Sequence, residues 1–379
     1  MYYIDKFFLG SPAHLKVTDA STTYVDNLPD GCVTDNGTTH PGTLGAFLQI
    51  TGKKYNLIPE NLLNSLTRSN IPISQAGLSY IVRESELAVL LAEHKHCVIP
   101  VLEKFKNYVP RYVENIKTLN SCLAIKFAST PDGVEIDDQG FSTPVMYDTS
   151  LTKTGRMKVI SGPSVLTMKK EFKSKICSRH ADGIIVEIDF SALEPRTALA
   201  ISEQGNIPQG DFYDSIGARL GIDDRGTAKQ VIISFLYGAG LATTCRLANI
   251  EESVLLPKLN SLKKMFSYDT VVQSLLASFQ KNGYFLNHAG RPVFPTTQKP
   301  GTLFNNFTQS SAVDVAMSGF TNLLSRISAD KIAAVPVCFI HDALLLDVKR
   351  SDIEHLRAAS NLLPTYLGID FPTKLKITG

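Results

Sequence analysis

The chain has 379 residues, 44% of them hydrophobic, with Lys+Arg 38 against Asp+Glu 36 and a formal net charge of +2. That length and apolar share allow a large core with about two or three subdomains and exclude a disordered or fibrous polymer. Near-neutral charge excludes nucleic-acid binding by bulk attraction alone, six cysteines without a CxxC pair argue against a zinc ribbon or disulfide frame, and no stretch reaches the roughly 20 apolar residues of a membrane span.

The N-terminus, MYYIDKFFLG, is broken by Asp5 and Lys6 and has no apolar run of signal length, so the chain is expected to be cytoplasmic, with no membrane partner. The first fifty residues, rich in Gly, Pro, Thr and Asp, predict short strands and loops. From about Pro59 to Asn120 apolar residues recur at three- and four-residue spacing, which predicts a long antiparallel helix pair. His94, His96 and Cys97 lie close together there but lack a second ligand pair and are assigned no metal. A stretch from about Asp132 to Gly162, punctuated by Gly and Asp-Gly, predicts β structure. Between Leu151 and His180 stand Lys153, Arg156, Lys158, Lys169, Lys170, Lys173, Lys175 and Arg179 against the single acid Glu171, a local basic field able to neutralise phosphates.

Next, IIVEIDFSALEPRTALAIS reads as a strand ending at Asp189 and a helix beginning at Pro195. Helical spacing returns from about Gly210 to Phe279, a loop follows at KNGYFLNHAGRPVFPTTQKPG, and LFNNFTQSSAVDVAMSGFTNLLSRI is again helical. Two strands, VPVCFI and ALLLDV, meet at His341 and Asp342. A helix near Ile353–Leu363 and a short strand near Thr373–Ile377 complete a sheet layered against helices.

Asp189 and Asp342 each lie at a strand end. Brought together on adjacent strands they offer hard carboxylate oxygens of the kind Mg²⁺ shares with substrate phosphates, although a lone strand-end Asp is ordinarily a turn residue. Arg225, Lys229, Ile233 and Tyr237 follow at steps of four, one helical stripe with two cations at its head and an aromatic ring near its foot. Such a stripe can grip a triphosphate, though an amphipathic helix with an exposed basic end would look the same. Gly238 allows close backbone approach or simply stops the helix.

In chain order, DFSALEPR at 189–196, R-x3-K-x7-YG at 225–238 and IHDALLLDV at 340–348 resemble the three polymerase motifs of family A (DNA polymerase I-like) DNA polymerases. TGR at 154–156, GRPVFP at 290–295 and NNFTQ at 305–309 are similar to flanking segments of that family. The resemblance implies an α+β right-hand polymerase fold with an antiparallel-sheet palm, helical fingers and a helical thumb. It divides the chain into an N-terminal extension (1–55), thumb-like helices (56–135), palm (136–204), fingers (205–304) and the rest of the palm (305–379). The implied activity is template-directed addition of deoxynucleotides (dNTPs) to a primer 3′ end on primer-template DNA.

Residue by residue, it implies that Asp189, Asp342 and the carbonyl of Phe190 hold two Mg²⁺ ions, or Mn²⁺. Arg225 and Lys229 would hold the triphosphate, with Lys229 also the proton donor to pyrophosphate, and Tyr213 stands where the family often has a phosphate-contacting histidine. Glu194 with Tyr237 would exclude a ribose 2′-hydroxyl, and Ile233 stands where an aromatic residue normally touches the sugar. Arg156, Asn305, Gln309 and His341 would line the primer-template minor groove, with Arg291 and Gly238 in DNA-binding segments. Ala343 replaces the glutamate expected after the His-Asp pair. Glu187, on the face of Asp189, is a candidate substitute for it, against the plainer reading of an exposed strand glutamate. The step from Asp189 to Arg225 is shorter than usual in the family, implying trimmed fingers. No proofreading or 5′ nuclease segment is recognised, so a phage-type polymerase served by a separate exonuclease, helicase or processivity factor is expected. Two rivals stand: a single-subunit RNA polymerase or primase, favoured by Ala343 and opposed by Glu194, and a noncatalytic DNA-binding replication factor, suggested by Ala343 and Ile233.

Overall fold

The computed structural model describes residues 2–4, 6–17, 21–28, 33–35, 38–40, 60–72, 113–202, 208, 210–361 and 371–378. The chain divides into two compact units, Met1–Val113 and Glu114–Gly379, each taken by itself. In the first, strands β1 (Tyr2–Ile4), β2 (His14–Val17), β3 (Thr22–Val25), β4 (Val33–Asp35) and β5 (Thr38–His40) form an antiparallel sheet in the order β3-β2-β1-β5-β4. A one-turn helix α1 (Lys6–Leu9) joins β1 to β2, and helix α2 (Glu60–Arg68) follows the sheet in sequence. The predicted short strands are present. Of the predicted helix pair, residues 73–112, with His94, His96 and Cys97, lie outside the described residues.

The second unit opens with α3 (Glu114–Leu119), the hairpin β6 (Met146–Asp148) and β7 (Lys158–Ser161), and α4 (Lys170–Lys173). Strand β8 (Gly183–Phe190) leads into α5 (Leu193–Ile201). Five helices follow: α6 (Phe212–Leu220), α7 (Arg225–Leu236), α8 (Leu241–Ala248), α9 (Glu252–Met265) and α10 (Tyr268–Asn282). A small hairpin, β9 (Phe285–Leu286) and β10 (Pro292–Val293), precedes the 30-residue α11 (Pro300–Ala329). Strands β11 (Ala334–Ile340) and β12 (Ala343–Lys349), helix α12 (Ile353–Asn361) and strand β13 (Thr373–Ile377) close the unit. The main sheet is antiparallel, in the order β11-β12-β8-β13.

Strand β8, GIIVEIDF, forms because a β-branched run fits a pleated surface. Its Val186, Ile188 and Phe190 are buried while Glu187 and Asp189 between them are only half-buried, so the acids share the opposite face. Phe190 packs against Phe320 of α11 at 5.1 Å between ring centroids, and Phe320 against Phe339 of β11 at 5.6 Å. Gly319 makes room for this: a Cβ there would stand 2.7 Å from the Phe190 ring. Helix α11 also lends Phe304 to a second core formed mainly by α6, α7 and α9, so it is apolar nearly all round, as a helix buried on several sides must be.

Two local expectations are corrected. Helix α5 begins at Leu193, not Pro195, with Ala192 as N-cap in the left-handed region at φ 53°. Pro195 is tolerated because N–H groups of a first turn have no intrahelical acceptor. The stretch 132–162 holds less β structure than predicted. Asp137 Oδ1 accepts from the N–H groups of Gln139 and Phe141, a side-chain turn that takes donors a strand ladder would use. No helix of the described residues is long and apolar enough to cross a membrane.

Candidate active site

The β11–β12 connection is a two-residue turn, His341–Asp342, between the paired residues Ile340 and Ala343. His341 has φ 55°, the left-handed conformation that such a tight hairpin requires at its first central position. Ala343 pairs in register with Asp189 on β8, and the Phe190 N–H donates to the Asp342 carbonyl at 3.2 Å. The two aspartates therefore meet at one end of the sheet. Burial, and then the negative charge of Asp189, hold the Asp342 carboxyl above the ordinary carboxylate range.

On its other side β8 pairs with β13, setting Lys374 opposite Asp189 and Lys376 opposite Glu187. The Lys376 ammonium donates to Glu187 Oε1 at 2.9 Å and to Asp189 Oδ2 at 3.2 Å. The bond to Glu187 is the main cause that raises Lys376 above its usual value, against burial, which lowers it. Glu187, a sequence candidate for the missing third carboxylate, is thus engaged by a lysine that the sequence reading did not single out.

Helix α7 faces this carboxylate pair across a cleft of about 580 Å³. Its head is fixed by Asp224, whose side chain accepts from the Thr227 N–H, and the preceding α6 is capped likewise by Asp211. Arg225, Lys229, Ile233 and Tyr237 all line the cleft, so the four-residue stripe forms as predicted. The Arg225 guanidinium is ion-paired with Asp211 at 2.9 Å, and Lys374 stands 4.0 Å from the same carboxylate. Arg225 and Lys229 also lie 5.4 and 5.8 Å from the Tyr213 ring centroid. Burial first, then Glu194, push the Tyr213 hydroxyl upward, which keeps it a hydrogen-bond donor. Asp211, which restrains Arg225, is a second site residue the sequence reading missed. Its signal was an acid at a helix start, common enough to pass as a cap.

At the foot of the stripe, Arg156 donates to Glu194 Oε1 at 2.6 Å and reaches the Tyr237 hydroxyl at 3.5 Å. The Arg156 loop is anchored by its neighbours: Thr154 Oγ1 donates to Gln309 Oε1 at 2.9 Å, and Gly155 lies on the side chain of Arg291. Gln309, His341, Phe190, Tyr213 and Glu194 all line the cleft; Asn305 lies one turn before Gln309 on α11 and does not.

Arg291 requires correction, and Gly238 has a packing role of its own. The Arg291 guanidinium is 2% exposed and forked onto Asp314, with contacts of 3.1 and 2.6 Å, while Asn287 also donates to that carboxylate. A buried, paired guanidinium is not presented to a nucleic acid; it ties the β9–β10 loop to α11. Gly238, at φ 75°, abuts Gly301, where a Cβ would meet the Gly301 Cα at 2.6 Å, so its glycine serves helix packing.

Among the described residues no group of three or more His, Cys, Asp or Glu forms a ready metal cage. The donor set nevertheless suits a hard divalent cation. Asp189 and Asp342 supply oxygens, Phe190 follows Asp189 at the strand end, and the crowding of like charge that raises Asp342 is relieved by positive charge.

Similarity to known proteins agrees with this geometry. No family model matches the chain. DNA polymerase I of Geobacillus stearothermophilus is 22% identical over 244 residues, taking in 56% of this chain and 27% of that protein. The POL domain of Pol1 from M. smegmatis, solved in complex with DNA primer-template and dNTP, superposes with a TM-score of 0.53 at 14% identity, covering 88% of this chain. The fold is that of a polymerase domain. This chain spans 62% of that solved chain, so it corresponds to part of each relative.

Proposed function

We propose that this chain is a template-directed DNA polymerase of the DNA polymerase I kind, adding deoxynucleotides to a primer 3′ end. The observation that carries this reading is the convergence in one cleft of Asp189 and Asp342 with the Arg225–Lys229–Tyr237 stripe opposite them. Residues 136–204 and 305–379 would form the palm and 205–304 the fingers. The polymerase-domain fold and the sequence likeness to DNA polymerase I support it.

Asp189, Asp342 and the Phe190 carbonyl would hold Mg²⁺, which would activate the primer hydroxyl and neutralise charge on the triphosphate. Arg225 releases Asp211 to take phosphate oxygens, and Lys229 beside it holds the proton that pyrophosphate accepts on leaving. Tyr213 adds one neutral donor. Glu194, fixed by Arg156, with Tyr237 above it, fills the space where a 2′-hydroxyl would sit, and this favours DNA over RNA synthesis. Gln309 and His341 border the cleft where a primer end would lie, and acceptors common to all base pairs can be checked there.

The test is extension of a primed template by the purified chain with Mg²⁺, with deoxynucleotides or ribonucleotides. Extension with deoxynucleotides is expected, falling on the order of a thousandfold in Asp189→Ala and Asp342→Ala, the scale of losing an electrostatic stabiliser in a closed site. Full activity in Asp189→Ala would sink the reading. Preferred use of ribonucleotides would favour the RNA polymerase alternative.

A further inference from the structure

Strand β13 brings two lysines, spaced so that both face the cleft side of the sheet, against the two acids of β8. Directly opposed side chains in an antiparallel pair have Cβ atoms about 5 Å apart, within reach of a lysine stem. Lys376 does not stop at its direct partner Glu187. It reaches diagonally so that one ammonium spans Glu187 Oε1 and Asp189 Oδ2. Lys374 leans the other way, toward Asp211. On the opposite flank of Asp189 stands Ala343, with no group to touch the carboxylate. Among the described residues, therefore, Lys376 is the cation that ion-pairs with Asp189.

We propose that Lys376 is a built-in counter-ion of the candidate metal site: its ammonium holds an oxygen of Asp189 in the metal-free chain and withdraws onto Glu187 when a divalent cation takes that oxygen. This rests on the reading that Asp189 and Asp342 bind divalent cations. An ammonium on a four-carbon stem is a compact charge with three donors, and Lys376, half exposed, has room to swing. Glu187 gives it a second resting place 2.9 Å away, so displacement from Asp189 does not leave the charge unpaired. The divalent cation must displace an ion pair before it can bind. Its affinity for the free chain is thereby lowered, and loading is tied to the arrival of phosphate oxygens that complete its ligand set. Lys376 and Glu187 are positioning residues; neither touches the reacting atoms.

The experiment is Mn²⁺ titration of the full chain without DNA or nucleotide, following free Mn²⁺ by electron paramagnetic resonance. Lys376→Met is expected to bind Mn²⁺ about fivefold more tightly, the scale of one partly exposed ion pair removed. Glu187→Gln, which leaves the ammonium wholly on Asp189, is expected to bind more weakly. The double variant Lys376→Met/Glu187→Gln has the wild-type net charge, yet is expected to bind more tightly than wild type because the competing ammonium is gone. Unchanged or weaker binding in Lys376→Met overturns the proposal, as does a double variant equal to wild type, since unlocated charge alone would give that result. Asp189→Asn separates the two levels of failure. If it abolishes binding while Lys376→Met changes nothing, the counter-ion falls and the metal site stands. If Asp189→Asn binds as well as wild type, the metal site itself is misplaced and both fall.

Discussion

Asp342 concentrates the electrostatic cost of the cleft, because burial and Asp189 both favour its protonated form. With a folded value raised above the ordinary 3.8, its contribution to stability is fully present below that value and is lost as pH rises through the raised one. At neutral pH the ionised side chain therefore works against the metal-free fold. Asp342→Asn is expected to unfold at a higher temperature than wild type at neutral pH with chelator present, the gap closing on acidification, while primer extension is lost. A thermal melt series across pH reads this directly, and a variant no more stable than wild type at neutral pH would contradict it. Arg291 presents the converse case. Removing it leaves the Asp314 carboxylate, 1% exposed, without its charge partner, so Arg291→Ala is expected to cost about 3–5 kcal/mol in denaturant unfolding.

Among the elements, the join between α7 and α11 leaves no room for a side chain. Gly238 follows the end of α7 in a left-handed conformation with its Cα against the backbone of Gly301. Gly238→Ala is expected to lose about 2 kcal/mol or more, from conformational strain and overpacking together. Gly238→Asn should fare no better in thermal unfolding, although Asn accepts φ > 0, because the obstacle is backbone that cannot turn aside. Much at this scale was legible in the sequence. The strand that carries Asp189, the turn at His341–Asp342, the cationic stripe and the final strand at Thr373–Ile377 all carry local signals of period, β-branching or turn chemistry. What escaped depends on pairings between distant segments. Nothing near Lys376 shows that β13 will dock beside β8, nothing near Arg291 shows that Asp314 will bury it, and the start of α5 was misplaced because proline there suits several first-turn positions.

For the molecule as a whole, net charge conceals a local field. Lys153, Lys158 and Lys169 are exposed, whereas Arg179 is committed to Asp347 at 3.1 Å and to the Ala124 carbonyl at 2.8 Å, so the basic stretch is narrower than its sequence suggests. If the three exposed lysines face phosphates, replacing all three with glutamine reduces the slope of log affinity against log salt for primer-template DNA by about three. Fluorescence anisotropy across salt concentrations measures it, and an unaltered slope would place the DNA elsewhere. The cross-strand facing of Glu187 and Lys376 also bears on descent. Two side chains that neutralise each other across a sheet drift as a couple: losing Lys376 leaves Glu187 without its cation, and losing Glu187 leaves the ammonium wholly on Asp189. Among future homologues, a neutral residue at the position of Glu187 should travel with loss of the lysine at the position of Lys376, an inherited correlation that lineages can reveal without a single assay.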